Sequence, residues 1–348
     1  MSTKTLKNGE RVDIIPAIEA SRQSLAIFYS LAYPARANFL INHWKWLYSG
    51  RNSQNIESWP IVAQTQSGTI IGHAATIPTH VIIDNELFEA SWFVDYFVEE
   101  TFRGQGLASI LINEVMNSAT ILAIIGSSST AKSVFRHHGW AEYFGTVSYS
   151  LPIKISNHPR FRLAPFRRLL PTADYFIKKY YQLKNRAGTD EFELLPLTQT
   201  MLKIFTDDLS DVRDCILQHH DEIFLTKRLI DFPFNKQIKV YRSKHSTALL
   251  RFTNSGGSNR INILKTKTTS PVLFFKQILA LGLEHDIDEI TLVSSDREAQ
   301  DSFDRLFPVR KDIPYYLFSH TQRLPASTPV KPARWEMIDS DLDLVHTN

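Results

Sequence analysis

The chain has 348 residues, a hydrophobic content of 43% and a formal net charge of +3. This length allows two domains with substantial cores, the hydrophobic content excludes general disorder, and the small charge gives no argument for nucleic acid as a partner. The single cysteine, Cys215, lies in a predicted helix at 209–218; it excludes an internal disulfide framework and fits a reducing cytosol. No apolar run reaches the length of a membrane span, and the first residues contain no signal-peptide core.

The first elements along the chain are predicted to be a helix and then hairpins. Residues 38–48 have a helix-like pattern that carries Trp44, Trp46 and Tyr48. Two strands, 61–65 and 69–76, follow around a turn at 66–68, and a short strand at 81–83 precedes the turn Asp84-Asn85.

The most informative segment is a strand, a glycine-rich turn and a helix between residues 92 and 115. The run from Trp92 to Val98 predicts a strand, and Leu107, Ile110, Leu111 and Val115 recur at helical spacing. The turn between them contains Arg103, Gly104, Gln105 and Gly106. A glycine turn at a helix N-terminus exposes backbone N–H groups and partial positive charge, so the segment predicts a phosphate or pyrophosphate site.

A second strand and helix follow about twenty residues later. Residues 121–125 predict a buried strand, residues 131–138 a helix that ends at Gly139, and residues 140–151 a further strand.

These two segments together resemble the GNAT acetyltransferase superfamily over residues 10–155. Its Arg-x-x-Gly-x-Ala signature is present as Arg103, Gly106 and Ala108, and its Asn-x-x-Ala-x-x-x-Tyr-x-x-x-Gly-Phe pattern occurs in register. In that pattern Ser128 replaces the asparagine and Phe135 replaces the tyrosine, so the tyrosine's role as a proton donor is missing or lies elsewhere.

The resemblance implies a site for acetyl-coenzyme A as the acyl donor, without a metal. The implied cofactor-binding residues are Phe97, Val98, Arg103, Gly104, Gln105, Gly106, Leu107, Ala108, Ser128 and Phe135. Trp44, Trp46 and Tyr96 are candidates for the acceptor site, although aromatic residues at helical spacing also suit a core.

Asp95 is the first candidate for a catalytic base, and Glu99 is the second. Strand alternation puts Asp95, Phe97 and Glu99 on one face and Val94, Tyr96 and Val98 on the other. A carboxylate in an otherwise apolar strand suits a base; the alternative is that Asp95 hydrogen-bonds the backbone and only shapes the site. His73 and His80 are either proton relays or structural residues.

The rest of the chain is interpreted as a connector, a degenerate second copy and a tail. The predicted divisions are a GNAT domain at 1–155, a basic and aromatic connecting segment at 156–190, a second GNAT-like domain at 191–323 and a tail at 324–348. The tail is interpreted either as an extended segment that Trp335 docks so that its carboxylates reach a cleft, or as a solvated acidic end. The connector is interpreted either as a nucleic-acid or membrane patch or as a solvated linker that packs aromatic residues on both domains. The second copy repeats the order of elements, but residues 264–270 lack glycine, so it is expected not to bind cofactor.

The predicted fold class is therefore α/β with a mixed sheet, built as tandem GNAT-like folds of which the N-terminal one binds cofactor. The predicted function is an acetyl-coenzyme A-dependent N-acyltransferase for a small amine, such as an amino sugar of a surface polysaccharide pathway. The alternative is a regulatory protein that binds acyl-coenzyme A without catalysis, and a peptidyl-transfer enzyme using aminoacyl-tRNA is disfavoured by the small charge. A cytoplasmic location is expected, with no nucleic-acid partner and with the oligomeric state open.

Overall fold

The fold is seen in a computed structural model, which describes residues 2–49, 60–126, 129–157, 167–184, 191–207, 216–255, 257–319 and 333–339. The strands are β1 (Ser2–Thr5), β2 (Arg11–Pro16), β3 (Ile61–Thr65), β4 (Ile70–Ile83), β5 (Glu86–Val98), β6 (Ile121–Ile125), β7 (Ala141–Pro152), β8 (Phe192–Pro196), β9 (Ile216–Gln218), β10 (Ile238–Ser243), β11 (Ser246–Ser255), β12 (Ser258–Thr268), β13 (Glu289–Ser294), β14 (Val309–Ser319) and β15 (Ala333–Arg334). The α-helices are α1 (Arg22–Ala32), α2 (Ala37–Tyr48), α3 (Leu107–Ser118), α4 (Ser129–His137), α5 (Leu170–Lys184), α6 (Glu222–Leu225), α7 (Pro271–Glu284) and α8 (Arg297–Asp304).

The strands form one mixed sheet that runs through both halves of the chain. Its order is β1-β2-β3-β4-β5-β6-β14-β7-β13-β12-β11-β10-β8, and β9 pairs with β4 and β15 beside this path. β14, from the second half, pairs antiparallel with β6 and with β7. β7, from the first half, pairs antiparallel with β13. Each half therefore completes its part of the sheet with a strand from the other half, and the predicted boundaries at 155, 190 and 323 stay a prediction.

Each half contains a pair of parallel strands, one of which has a bulge. β5 and β6 are parallel neighbours, as are β12 and β13. β5 bulges where Asp95 and Tyr96 lie opposite the single residue Ala74, and β12 bulges at Leu264. A bulge adds a residue to one strand and bends it, so both strands leave their parallel partners at equivalent places.

Helix α3 packs closely on the sheet because β4 carries a glycine there. A Cβ at Gly72 would lie 2.9 Å from Leu111 Cδ1 and 3.3 Å from Leu107 Cδ2. Leu107 and Leu111 are fully buried, together with Ile112 and Val115. This contact fixes the N-terminal end of α3 over the end of β5.

Two sequence predictions differ from the structure, one at residues 209–218 and one at residues 69–83. A helix was predicted for 209–218, but Ile216–Gln218 is strand β9, which pairs with β4; residues 208–215, including Cys215, lie outside the described residues. The predicted strands at 69–76 and 81–83 are one strand, β4, because β5 pairs with it along nearly its whole length.

The connecting helix α5 packs only some of its aromatic residues on the protein. Ile177 and Tyr181 join a core cluster that contains residues of β7 and of the second half, whereas Tyr175 and Phe176 are exposed. The interpretation as a packed aromatic linker is therefore wrong for these two side chains. Among the described residues, no helix is both long and apolar enough to cross a bilayer.

Candidate functional site

The glycine turn between β5 and α3 is open to solvent. Gly104 and Gly106 have φ angles of 77° and 88°, which favour glycine. A Cβ at Gly104 would meet nothing within 4 Å, and one at Gly106 would meet only Lys7 Cε, at 3.9 Å. The N-cap residue of α3 is Gly106, which has no side chain that could cap the helix. The first N–H groups of α3 therefore face this space without intrahelical acceptors. The cradle fits the phosphates of a nucleotide-type cofactor.

Two cationic side chains flank the turn. Arg103 Nε donates to the Val98 carbonyl at 3.2 Å, and the Arg103 side chain is 53% exposed. Lys7, in the hairpin between β1 and β2, donates its backbone N–H to the Gln105 carbonyl at 3.1 Å. Arg103 was expected from the sequence and Lys7 was not, because Lys7 precedes the turn by about a hundred residues with no motif of its own. Its positive charge adds to the attraction for an anion.

Beside the turn, one edge of β5 is left without a strand neighbour. β5 pairs with β6 only at Ser91 with Leu122 and at Trp92 with Ala123. Beyond Trp92 no described strand pairs with this edge, so the backbone near Phe97 and Val98 can accept an extended ligand by strand-like hydrogen bonds. The predicted cofactor contact of Phe97 and Val98 is compatible with this geometry and stays a prediction.

Asp95 lies at the bulge and is surrounded by donors. Its φ is 50°, its side chain is 3% exposed, and its carboxylate accepts from Arg36 Nη1 at 2.9 Å and from Tyr48 OH at 2.8 Å. Its carbonyl accepts from Tyr33 OH at 2.5 Å and lies 2.6 Å from His73 Nδ1. Since both carboxylate oxygens are engaged, the contacts favour the second sequence interpretation, in which Asp95 shapes the site.

The bulge also corrects the predicted faces of β5. Val94 and Asp95 both lie towards α1 and α2: Val94 belongs to the core cluster of those helices, and Asp95 contacts Arg36 and Tyr48. Strict alternation placed Val94 opposite Asp95, which is wrong because the extra residue and the positive φ of Asp95 break the two-residue period.

His73 is a fixed part of this network. It is fully buried, and burial lowers its pKa to about 4 despite the hydrogen bond to the Asp95 carbonyl. Because a carbonyl only accepts, Nδ1 carries the proton, and Nε2 is left to accept from Tyr29 OH at 3.4 Å. A neutral histidine with a hydrogen bond at each ring nitrogen favours the structural interpretation over the proton relay.

Tyr96 and Phe135 lie together on the other face of β5. Their ring centroids are 6.2 Å apart, and Phe135 is fully buried against Phe93, Trp140 and Tyr316. The Phe135 side chain thus has no exposed surface in this structure, and its predicted cofactor contact stays a prediction. The Tyr96 hydroxyl is buried and has no hydrogen-bond partner among the described residues, and burial raises its pKa well above the ordinary value.

The acceptor candidates do not come together. Tyr96 lies in the α3 side of the core, whereas Trp44 belongs to the α1 and α2 side, where it lines a cavity of about 310 Å³ with Tyr29. Trp46 contacts the second half instead: its Nε1 donates to the Lys227 carbonyl at 3.1 Å. The three candidates therefore lie in different parts of the structure, and their role in acceptor binding stays a prediction.

The remaining predicted residues lie around the turn or outside the described residues. Glu99 follows the last residue of β5 and is half-buried, and its carboxylate accepts from Thr101 Oγ1 at 3.1 Å. Leu107 and Ala108 begin α3. Ser128 lies outside the described residues. Among the residues that the structure describes, no group of three or more His, Cys, Asp or Glu side chains could hold a metal ion.

The equivalent cleft of the second half is filled by the chain's own tail. β12 and β13 pair only from Arg260 to Ile263, and beyond that point Ile338 donates its N–H to the Leu264 carbonyl at 3.2 Å. Thr266 N–H donates to Glu336 Oε1 at 3.1 Å, and Glu336 bridges to Ser294 of β13. Residues 335–339, called the tail segment below, therefore occupy the edge that in the first half is left without a strand.

Buried charges hold the tail segment. Lys265 Nζ lies 2.9 Å from Glu336 Oε2 and 3.0 Å from Asp207 Oδ1, and His220 Nε2 lies 2.5 Å from Asp339 Oδ1. Burial and the Lys265 ammonium both lower the pKa of His220, but the carboxylates of Asp339 and Asp207 outweigh them and raise it to about 9. The two carboxylates therefore favour the protonated form of His220, whereas Lys265 Nζ, 2.7 Å from His220 Nδ1, opposes it.

Comparison with known proteins supports the fold assignment. No protein-family model matches the chain. Over 95 residues the chain is 26% identical to an aminoglycoside 2'-N-acetyltransferase of Mycolicibacterium fortuitum, a match that covers 26% of this chain and 49% of that protein. The chain thus spans about half the length of this curated relative.

Solved structures match over most of the chain. A GCN5-related N-acetyltransferase from Kribbella flavida superposes with a TM-score of 0.53 at 10% identity, over 91% of this chain and 72% of that one. The N-myristoyltransferase of Saccharomyces cerevisiae with bound myristoyl-CoA gives a TM-score of 0.56 at 10% identity, over 88% and 79%. The chain has a two-lobed, GNAT-like fold, which confirms the fold predicted from the sequence.

Proposed function

We propose that the protein is an acyl-coenzyme A-dependent N-acyltransferase whose donor lies along β5 and the turn before α3. The observation that carries this proposal is the combination of an open glycine turn, an uncapped helix N-terminus and the free edge of β5. Gly104, Gly106 and the first N–H groups of α3 hold the phosphates, with Arg103 and Lys7 as counter-charges.

Acetyl-coenzyme A supplies a thioester-activated acyl group when bound. The chain must then orient the thioester, admit an amine that has lost a proton, and return a proton to the sulfur. The free edge of β5 orients the donor, and the bulge at Asp95 turns its backbone towards the acyl group. Asp95 acts as a positioning residue, because Arg36 and Tyr48 occupy its carboxylate. Glu99 stays a candidate base at the end of β5.

The proposed acceptor is a small amine, and an amino sugar is the favoured class. The curated relative is named for acetylation of an aminoglycoside, which carries amines on sugar rings. An amino sugar of a surface polysaccharide and a cytoplasmic location belong to the same proposal. A single donor per chain is expected, because the tail segment fills the second cleft.

The test is an assay of thiol release from acetyl-coenzyme A with a panel of amino sugars, aminoglycosides and simple alkylamines. Release that depends on an amine supports the enzyme. Tight binding of coenzyme A by calorimetry without release with any amine supports the rival function, an acyl-coenzyme A-binding regulatory protein. A parallel series of acyl donors from acetyl to myristoyl determines the acyl length.

A further inference from the structure

Helix α5 turns large apolar side chains towards solvent. Phe176 is 65% exposed, Tyr175 58% and Leu183 57%, and Leu169, just before the helix, is 67% exposed. With Tyr180, these make five of the fourteen large hydrophobic residues that are exposed among the described residues, all within fifteen positions. Exposed apolar surface on a soluble fold is normally scattered, so such a concentration marks an interaction surface.

The orientation of α5 is fixed by its opposite side. Leu170 and Tyr181 are buried, and Ile177 packs against the core of the second half. The carboxylate of Asp174 accepts from the backbone N–H groups of Ile155 and Ser156, at 2.6 and 3.3 Å. The only acidic side chain of the helix is thereby turned towards the protein and away from the exposed face.

The exposed face combines an apolar stripe with positive charge. Leu169, Phe176 and Leu183 recur every seven residues and therefore share one side of the helix. Beside them lie the exposed cations Arg168 and Lys179, with Lys179 Nζ 5.9 Å from the ring of Tyr175. The sequence on either side of the helix adds Arg160, Arg162, Arg167 and Arg186, and Lys184 is the last residue of the helix.

We propose that this surface, the α5 face (Arg168, Leu169, Tyr175, Phe176, Lys179, Tyr180 and Leu183), docks on an anionic lipid bilayer. Aromatic and aliphatic side chains on one side of a helix insert at the boundary between headgroups and acyl chains, and neighbouring lysines and arginines contact anionic headgroups. Charge complementarity favours this occupant over an electroneutral surface, because the exposed face carries cations and no acidic side chain of the helix.

A nucleic acid fits the face less well. Phosphates would pair with Arg168 and Lys179, but the aliphatic side chains of Leu169 and Leu183 would gain nothing from a polar backbone. In a bilayer the same two leucines leave water together with the aromatic rings. The inference does not depend on the proposed acyltransferase activity, since α5 contributes no residue to the donor site.

The experiment is flotation of the full chain with vesicles of phosphatidylcholine alone and with about one third phosphatidylglycerol, chosen to carry anionic headgroups. The expected result is co-flotation with the anionic vesicles, weaker at high salt, and little binding to neutral ones. The double variants Phe176→Ser/Leu183→Ser and Arg168→Glu/Lys179→Glu should each lower the partition by about tenfold or more.

The matched control is Phe144→Ser, because Phe144 is also exposed, at 70%, but lies on β7. It should float like the wild type, and all variants should keep the wild-type thermal midpoint, since they change exposed side chains. Absence of the wild type from the anionic vesicles, or equal flotation of the Phe176 and control variants, would overturn the proposal. Two other results would also overturn the proposal. The first is a dimer, measured by light scattering, that the Phe176→Ser substitution dissociates; the second is retention of RNA on filters that depends on Arg168.

Discussion

The guanidinium of Arg36 donates to the carboxylate of Asp95 at 2.9 Å, and both side chains are almost completely buried. Asp95 occupies the bulge of β5, so this ion pair connects the start of α2 to the place where β5 leaves β6. Loss of one partner would leave a buried charge without compensation.

The first prediction separates a positioning role of Asp95 from a role as base. Asp95→Asn and Arg36→Met should both lower the free energy of unfolding, by about 3 kcal/mol, and both should reduce turnover. Urea unfolding and thiol-release kinetics measure the two quantities. If Asp95→Asn instead lost activity on the order of 100-fold at unchanged stability while Arg36→Met stayed active, Asp95 would be the base.

The second prediction concerns the glycine turn. Gly106→Val should weaken coenzyme A binding by about tenfold or more, because a branched side chain would enter the phosphate space and resist the positive φ. Gly68→Val is the control, since Gly68 has a similar φ of 85° in the turn between β3 and β4. Calorimetry that finds equal affinity for the two variants would place the phosphates elsewhere.

The third prediction concerns the cations at the same turn. Lys7→Ala and Arg103→Ala should each weaken coenzyme A binding by about two- to fivefold, as expected for exposed charges, and the loss should shrink at high salt. Lys4→Ala is the comparison, because Lys4 lies in the same hairpin but pairs with Glu114 at 3.4 Å. A loss with Lys4→Ala as large as with Lys7→Ala would argue for a general charge effect.

The fourth prediction is a loss of stability at alkaline pH through His220. Its pKa is raised to about 9 in the folded protein, above the ordinary 6.5, so its contribution is fully present below pH 6.5 and is lost as the pH rises through 9. The thermal midpoint of the wild type should fall between pH 7 and 9.5, and that of His220→Gln should fall less. Parallel pH profiles for the two proteins would show that His220 does not carry this charge.

The fifth prediction concerns the strand exchange. A fragment of residues 1–155 lacks β14, so the edges of β6 and β7 would be left unpaired and would expose apolar surface. We expect this fragment to aggregate, whereas co-expression with residues 156–348 should restore a soluble complex. A monomeric, cooperatively unfolding fragment would show that the first lobe is independent.

The sequence determined the order of the elements and the candidate turn. The strands 61–65 and 121–125 and the helix after Gly106 follow from patterns within a few residues, where apolar spacing and glycine act locally. The repeated order of elements in the second half and the absence of a glycine turn there could be predicted from the sequence for the same reason. The sequence shows that Phe135 has no hydroxyl group. It does not show that the ring is buried, because burial depends on the residues that pack against it.

Only the tertiary structure decided how those elements meet. The hydrogen-bond partners of the Asp95 carboxylate are Arg36 and Tyr48, which lie 59 and 47 residues away along the chain. Neither pairing has a sequence signature. Three other features also depend on contacts between distant parts of the chain. They are the bulge that changes the predicted face of Val94, the exchange of β7 and β14 between the halves, and the position of the tail segment in the second cleft. Local propensity and periodicity report only on neighbours along the chain, whereas these contacts arise when distant segments compete for the same edges of one sheet.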